Sequence, residues 1–147
     1  MRHPFRSLRI KQLERAQAPF RAAQDVPRPA KGWARAIREA IGVSAGELSR
    51  ISGTHRSLPL QLERAEAAGS ITLKSLSNLA NALDCDLVYA LVPRAGSMQA
   101  LIENRARAQA TKRVLAVEHT MALEDQAAGG LEQAIAAETR RLLDQQR

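Results

Sequence analysis

Gly42-Val43-Ser44-Ala45-Gly46 has the spacing of a nucleophile elbow, where a serine on a sharp strand-to-helix turn attacks a carbonyl. That chemistry needs a strand before the serine and a parallel sheet beneath it. The residues before Gly42 carry a helical stripe instead, and no set of parallel strands is legible. A glycine ending one helix and a serine capping the next explain the same five residues. Cys85 is the single cysteine, with no histidine near it in sequence, and reads as a small buried residue. One thiol excludes an internal disulfide framework and a thiolate metal cluster. His3, His55 and His119 show no ligand spacing. With no nucleophile–base pair and no metal set, the sequence predicts no enzyme, no metal and no cofactor.

The remaining chemistry is that of charge. The 147 residues hold 22 Lys and Arg against 15 Asp and Glu, a net +7. Residues 1–38 hold ten of the cations and two acids, a local +8, so the rest of the chain is nearly neutral. The cations are Arg2, Arg6, Arg9, Lys11, Arg15, Arg21, Arg28, Lys31, Arg35 and Arg38. Such a run is either a solvated basic helix or a face that meets phosphate, as on double-stranded DNA.

The elements that must position these residues are mostly helical. There are 27 alanines and only 3% aromatic residues, which favours a mainly α fold over a sandwich or a barrel. The longest uncharged apolar run, Leu87 to Val92, is too short to span a membrane. Met1-Arg2-His3-Pro4-Phe5-Arg6 lacks the apolar core of a secretory leader. A soluble, cytoplasmic protein without a membrane partner is the expectation.

Four segments follow from the patterning. Residues 1–30 form a basic helix over 5–18 and a linker marked by Pro27 and Pro29. Residues 31–84 form a compact helical unit. Its first helix, 33–41, buries Trp33, Ile37, Ala40 and Ile41 and ends at Gly42. Ser44 caps a second, 45–52, with Leu48 inward. Gly53-Thr54 turns the chain into a third, ending near Glu66. Thr72 caps a fourth, 73–83, with Leu73, Leu76, Leu79, Ala80 and Leu83 on one side. Residues 85–93 contain one short β-strand, 86–92, apolar on both faces. Residues 94–147 read as an α-hairpin. Its helix 98–128 carries Ile102, Ala106, Ala110, Val114, Val117 and Met121, Gly129-Gly130 stop it, and a last helix covers 131–145.

A lone strand leaves its backbone N–H and C=O groups unpaired. Pairing with the same strand of a second copy satisfies them. The sequence therefore predicts a two-fold homodimer through Leu87, Val88, Tyr89 and Leu91.

Short helices joined by tight turns, with a glycine at the central turn, predict a helix-turn-helix core. Here the residues carry a resemblance. Trp33 to Leu83 resembles the Cro/CI-type (XRE) helix-turn-helix, with the stretch Gly53-Thr54-His55-Arg56-Ser57-Leu58-Pro59-Leu60-Gln61-Leu62-Glu63 at its centre. A narrower likeness runs through Lys31-Gly32-Trp33, Ile37-Arg38-Glu39-Ala40, Leu62-Glu63-Arg64-Ala65-Glu66, Ile71-Thr72-Leu73-Lys74 and Ala82 to Pro93. These segments resemble the bacterial family called mobile mystery protein A, and His119 to Glu124 resembles part of its tail. The resemblance implies a DNA-binding regulator encoded beside a Fic-domain protein, as in a toxin–antitoxin or mobile-element module.

By position in that pattern, Arg56, Ser57 and Gln61 face the DNA groove. Arginine grips guanine O6 and N7, and glutamine grips adenine N6 and N7. Ser44, the backbone at Ala45, and Lys74 lie near phosphates, with Lys31, Arg35, Arg38 and Arg64 adding charge. His55, in the turn, is a further candidate for phosphate.

Three positions depart from the pattern: Ala45 replaces a phosphate-bracing glutamine, and Ser52 and Pro59 replace aliphatic residues. Proline is tolerated in a first helical turn but not in a helix interior. The third helix is therefore expected to start late, with Ser57 as its N-cap, Leu58 first and Pro59 second. Thr54, His55 and Arg56 then belong to the turn, and Arg56 reaches the DNA backbone rather than a base. Leu58 and Leu60 stand where polar, groove-facing residues are usual. They meet thymine methyls, or they mark a unit turned to protein binding.

Known inhibitors of Fic enzymes carry an [S/T]-x-x-x-E-[G/N] helix motif. The nearest match, Gln99 with Glu103-Asn104, lacks the hydroxyl. The expected function is a dimeric, sequence-specific transcriptional regulator, an autorepressor and antitoxin-like partner of a Fic-domain protein. The alternative is an adaptor that binds the Fic partner with little specific DNA binding.

Overall fold

The computed structural model describes residues 5–121 and 128–145. The chain is mainly helical, with seven α-helices among the described residues: α1 (Arg6–Gln17), α2 (Trp33–Ala40), α3 (Ala45–Ser52), α4 (Leu58–Ala68), α5 (Leu73–Ala82), α6 (Met98–Met121) and α7 (Ala128–Gln145). A 3-10 helix, Ala18–Ala23, follows α1. The fold divides into a central unit, Asp25–Tyr89, and a terminal unit built from Met1–Gln24 and Ala90–Arg147. The basic N-terminal helix thus shares a unit with the C-terminal hairpin, rather than standing as a separate arm.

In the central unit, α2 to α5 close around Ala34, Leu48, Leu79 and Leu83, with Ile37, Val43, Leu62, Ala82 and Cys85 packed against them. Leu48, in the middle of α3, is fully buried. Trp33, Ile41 and Leu73, expected inside, are each more than half exposed. Helical spacing alone does not say which edge of an apolar stripe faces outward. The expected caps are present. Ser44 Oγ accepts the Glu47 N–H at 3.1 Å, and Thr72 Oγ1 accepts the Ser75 N–H at 3.1 Å. Gly53 ends α3 in the left-handed region, φ 64°, which glycine enters without steric cost.

The start of α2 is capped from a distance. The N–H groups of Trp33 and Ala34 donate to the two carboxylate oxygens of Glu66, on α4, at 2.7 and 3.0 Å. A carboxylate there satisfies two orphan donors and complements the helix dipole.

Residues 86–92 correct the expected strand. Among the described residues there is no strand, and these seven make no backbone-to-backbone hydrogen bond. The physical reason is the one that made a lone strand costly: the described residues offer no second strand to complete a ladder. Leu87 turns inward and, with Trp33, Ile37, Leu76 and Leu83, lines a cavity of about 240 Å³. Val88, Tyr89 and Leu91 are exposed.

In the terminal unit, α6 and α7 form the expected hairpin around Ala106, Ala110, Ile135 and Leu142. Alanines at the contact let the two helix backbones approach closely. Arg107–Glu132 and Arg113–Glu138 bridge the two helices, the second at 2.9 Å. Val117, assigned to the stripe, is exposed, while the side chain of Met121 lies outside the described residues. Gly129 and Gly130, expected to end the long helix, lie within the first turn of α7, so they mark a helix start. Residues 122–127 of the predicted helix 98–128 are outside the described set. Helix α1 docks on α6 through Glu14, whose Oε1 accepts the Met98 and Gln99 N–H groups at 3.0 and 3.4 Å.

Candidate nucleic-acid interface

Helix α3, the Gly53–Ser57 turn and α4 make the candidate reading unit. The late start of the second helix is borne out. Leu58 is the first residue of α4, Pro59 the second, and Thr54, His55 and Arg56 lie in the turn. Ser57 occupies the N-cap position, although its side chain makes no capping bond. Pro59 is fully buried, so the ring that excluded a longer helix serves as core.

Two faces of α4 separate cleanly. Ser57, Leu60, Gln61 and Arg64 are exposed at positions i, i+3, i+4 and i+7, which places them in one stripe. The opposite face carries Pro59, Glu63 and Glu66, all buried. Leu58 is half-buried, so its share in an outer surface is smaller than the sequence pattern implied. Leu60, 37% exposed, takes the place in the stripe expected for Leu58.

A second group of candidates converges at the start of α3. Ala45, Gly46, His55, Arg56, Ser57 and Leu60 line a shallow open pocket. Arg56 lies over Gly46: a side-chain carbon built at Gly46 would sit 3.9 Å from Arg56 Nε and 4.0 Å from Ser44 Oγ. The first N–H groups of α3, at Ala45 and Gly46, have no acceptor within the helix. A guanidinium, a histidine and a positive helix end therefore face one pocket. That is chemistry for an anion. The Ser44 hydroxyl is already engaged in capping.

The expected phosphate contacts divide. Lys31, Arg64 and Lys74 are exposed and in no ion pair among the described residues. Arg35 is paired with Glu39 at 2.8 Å, and its guanidinium holds the Glu39 carboxyl below the usual carboxylate range. Arg38 is not available at all. It is only 8% exposed, with Nε 2.6 Å from Glu63 Oε1, Nη2 3.1 Å from Glu63 Oε2 and Nη1 3.0 Å from the Val43 carbonyl. The hydrogen bond to Glu63 outweighs burial and holds the guanidinium pKa above its ordinary value. Arg38 joins α2, the loop before α3, and α4. It positions α4, and its donors are taken up inside the unit.

Glu63 and Glu66 are the residues that sequence reasoning missed. Both are acids on an otherwise apolar helix face. Their spacing against the 3.6-residue period was the available signal. The dimer candidates also separate: Leu87 lines the cavity of the central unit, Val88 lies at its mouth and is mostly exposed, and Tyr89 and Leu91 are exposed and line no part of it. No group of three or more metal-ligating side chains occurs among the described residues.

No family model, no curated protein and no solved structure matches this chain.

Proposed function

We propose that this protein is a sequence-specific DNA-binding regulator that reads the major groove with α4. The observation that carries the reading is the exposed stripe Ser57–Leu60–Gln61–Arg64 beside the Arg56 pocket at the start of α3. A helix that offers a glutamine and a small hydroxyl to base edges, with a cationic pocket at its leading end, fits groove reading with a phosphate clamp. Gln61 reads adenine, Leu60 meets a thymine methyl, and Arg56 with the α3 N-terminus holds a phosphate.

The regulator works as a dimer on a two-fold operator. Val88, Tyr89 and Leu91 are exposed apolar residues on a segment that makes no backbone-to-backbone hydrogen bond among the described residues, and a second copy of the same segment covers them. The sequence resemblance adds autorepression and a Fic-domain partner to this reading. A second reading, an adaptor for that partner, draws on Leu60, since an exposed leucine in the stripe also suits a protein contact.

The test is a fluorescence-anisotropy titration of the DNA upstream of the gene, beside a scrambled duplex, at two salt concentrations. Tighter binding to the upstream sequence is expected at both. Equal affinity for the two duplexes would remove sequence-specific regulation and leave the adaptor.

A further inference from the structure

The central unit holds eight Lys and Arg against seven acids, whereas the terminal unit holds fourteen against eight. A net charge of +1 is little for a duplex-binding unit. The only acid of α1, Glu14, is turned inward to cap α6, while Arg9, Lys11 and Arg15, spread around the helix, are exposed. Between α1 and α6 runs an open groove of about 710 Å³. Among the described residues Arg6, Arg105 and Lys112 line it, and no acid does. Arg9, Arg105 and Lys112 are exposed and in no ion pair among the described residues.

We infer that the α1–α6 face of the terminal unit is a second, sequence-independent binding surface for the DNA phosphate backbone. The inference rests on the DNA-binding reading of the central unit and supplies what that unit lacks. The exposed cations Arg105 and Lys112, brought together along this groove, are stabilised by a polyanion. Each one that neutralises a phosphate releases counterions, so its contribution is read in the salt dependence and not in sequence preference. An acidic protein segment is the other polyanion class, and the same experiment decides against it or for it.

The experiment compares the full-length protein with the triple variant Arg9→Gln/Arg105→Gln/Lys112→Gln and the charge-keeping Arg9→Lys/Arg105→Lys. All three are titrated on the upstream and scrambled duplexes between 50 and 200 mM salt. The triple variant is expected to lose affinity for both duplexes by the same factor, with the slope of log K against log salt shallower by about 2–3. The ratio between the two duplexes stays as in the unmodified protein, and the lysine variant keeps the parent slope. Circular dichroism melts show whether all three are folded. An unchanged slope in a folded triple variant overturns the inference and hands the face to an acidic protein, while leaving the regulator reading intact. Loss of slope in the lysine variant as well overturns it too, since charge is then not the cause. If the unmodified protein does not distinguish the duplexes, the regulator reading fails. The inference is then still decided by the slope on either DNA.

Discussion

Arg38 and Glu63 form a two-point ion pair inside the central unit, 2.6 Å from Nε to Oε1 and 3.1 Å from Nη2 to Oε2, with Glu63 only 2% exposed. The pair fixes α4 against α2, and a third guanidinium bond reaches the Val43 carbonyl just before α3. One side chain thus joins α2, the loop before α3 and α4. Arg38→Met leaves a buried carboxylate without a partner and is expected to cost about 3–5 kcal/mol in urea unfolding. The double variant Arg38→Met/Glu63→Leu removes both charges and is expected to recover most of that loss. If Arg38 served DNA instead, the single variant would keep its stability and lower the salt slope. A stable Arg38→Met protein with a reduced slope contradicts the assignment made here.

Gly32 and Glu66 give a second prediction. Gly32 has φ 88°, and a Cβ there would lie 2.8 Å from Glu66 Cδ. Gly32→Ala therefore meets both backbone strain and the carboxylate that caps α2. A loss of about 1–3 kcal/mol is expected from the backbone conformation alone. Glu66→Ala removes the cap without the strain and is expected to cost about 1–2 kcal/mol. Thermal melts of both variants check the order. A Gly32→Ala protein as stable as its parent would show that the turn before α2 can rearrange freely.

These two contacts mark the limit of what sequence could disclose. Local signals were legible because local physics sets them. Ser44 and Thr72 cap their helices where the pattern placed them, and Pro59 forces α4 to begin at Leu58. Long-range pairings were not legible. Arg38 lies 25 residues from Glu63, and nothing in the spacing of either distinguishes a buried pair from a phosphate contact. The surplus of cations near the start was visible as a count. That the helix carrying it belongs with α6 and α7 follows from Glu14 capping α6 across 84 residues, which no local rule predicts. The strand expected at 86–92 rested on a run apolar on both faces, but a ladder needs a second strand, and the described residues hold none.

That same stretch yields a prediction about assembly. Val88, Tyr89 and Leu91 are 69%, 67% and 87% exposed, three large apolar side chains within four positions. Light scattering of the parent is expected to give the mass of two chains, and Val88→Asp/Leu91→Asp the mass of one. Val88 also lines the cavity that Leu87 enters, so circular dichroism of the charged variant checks that the central unit stays folded. A parent already monomeric at high protein concentration would exclude pairing through this segment.

Arg56 and Gln61 are expected to fail in different ways when removed, and the difference tests the placement of α4. Gln61 stands in the outer stripe, one turn into the helix, where a carboxamide can make two hydrogen bonds to one adenine. Gln61→Ala is expected to weaken binding to the upstream duplex by about 1–3 kcal/mol and to leave the scrambled duplex nearly unchanged. Arg56 lies before the helix, over Gly46 at the positive end of α3. Its partner is a phosphate, which every sequence has. Arg56→Ala is expected to weaken both duplexes equally and to reduce the salt slope by about one. The two outcomes are readable in a single pair of anisotropy titrations per variant. Were Arg56→Ala to erase sequence preference while Gln61→Ala did nothing, the arginine would be the base reader. The turn would then have to swing into the groove, against the helix start that Pro59 imposes. Were neither to matter, the stripe would not be a DNA surface, and Leu60 would become the residue to mutate next in a search for a protein partner.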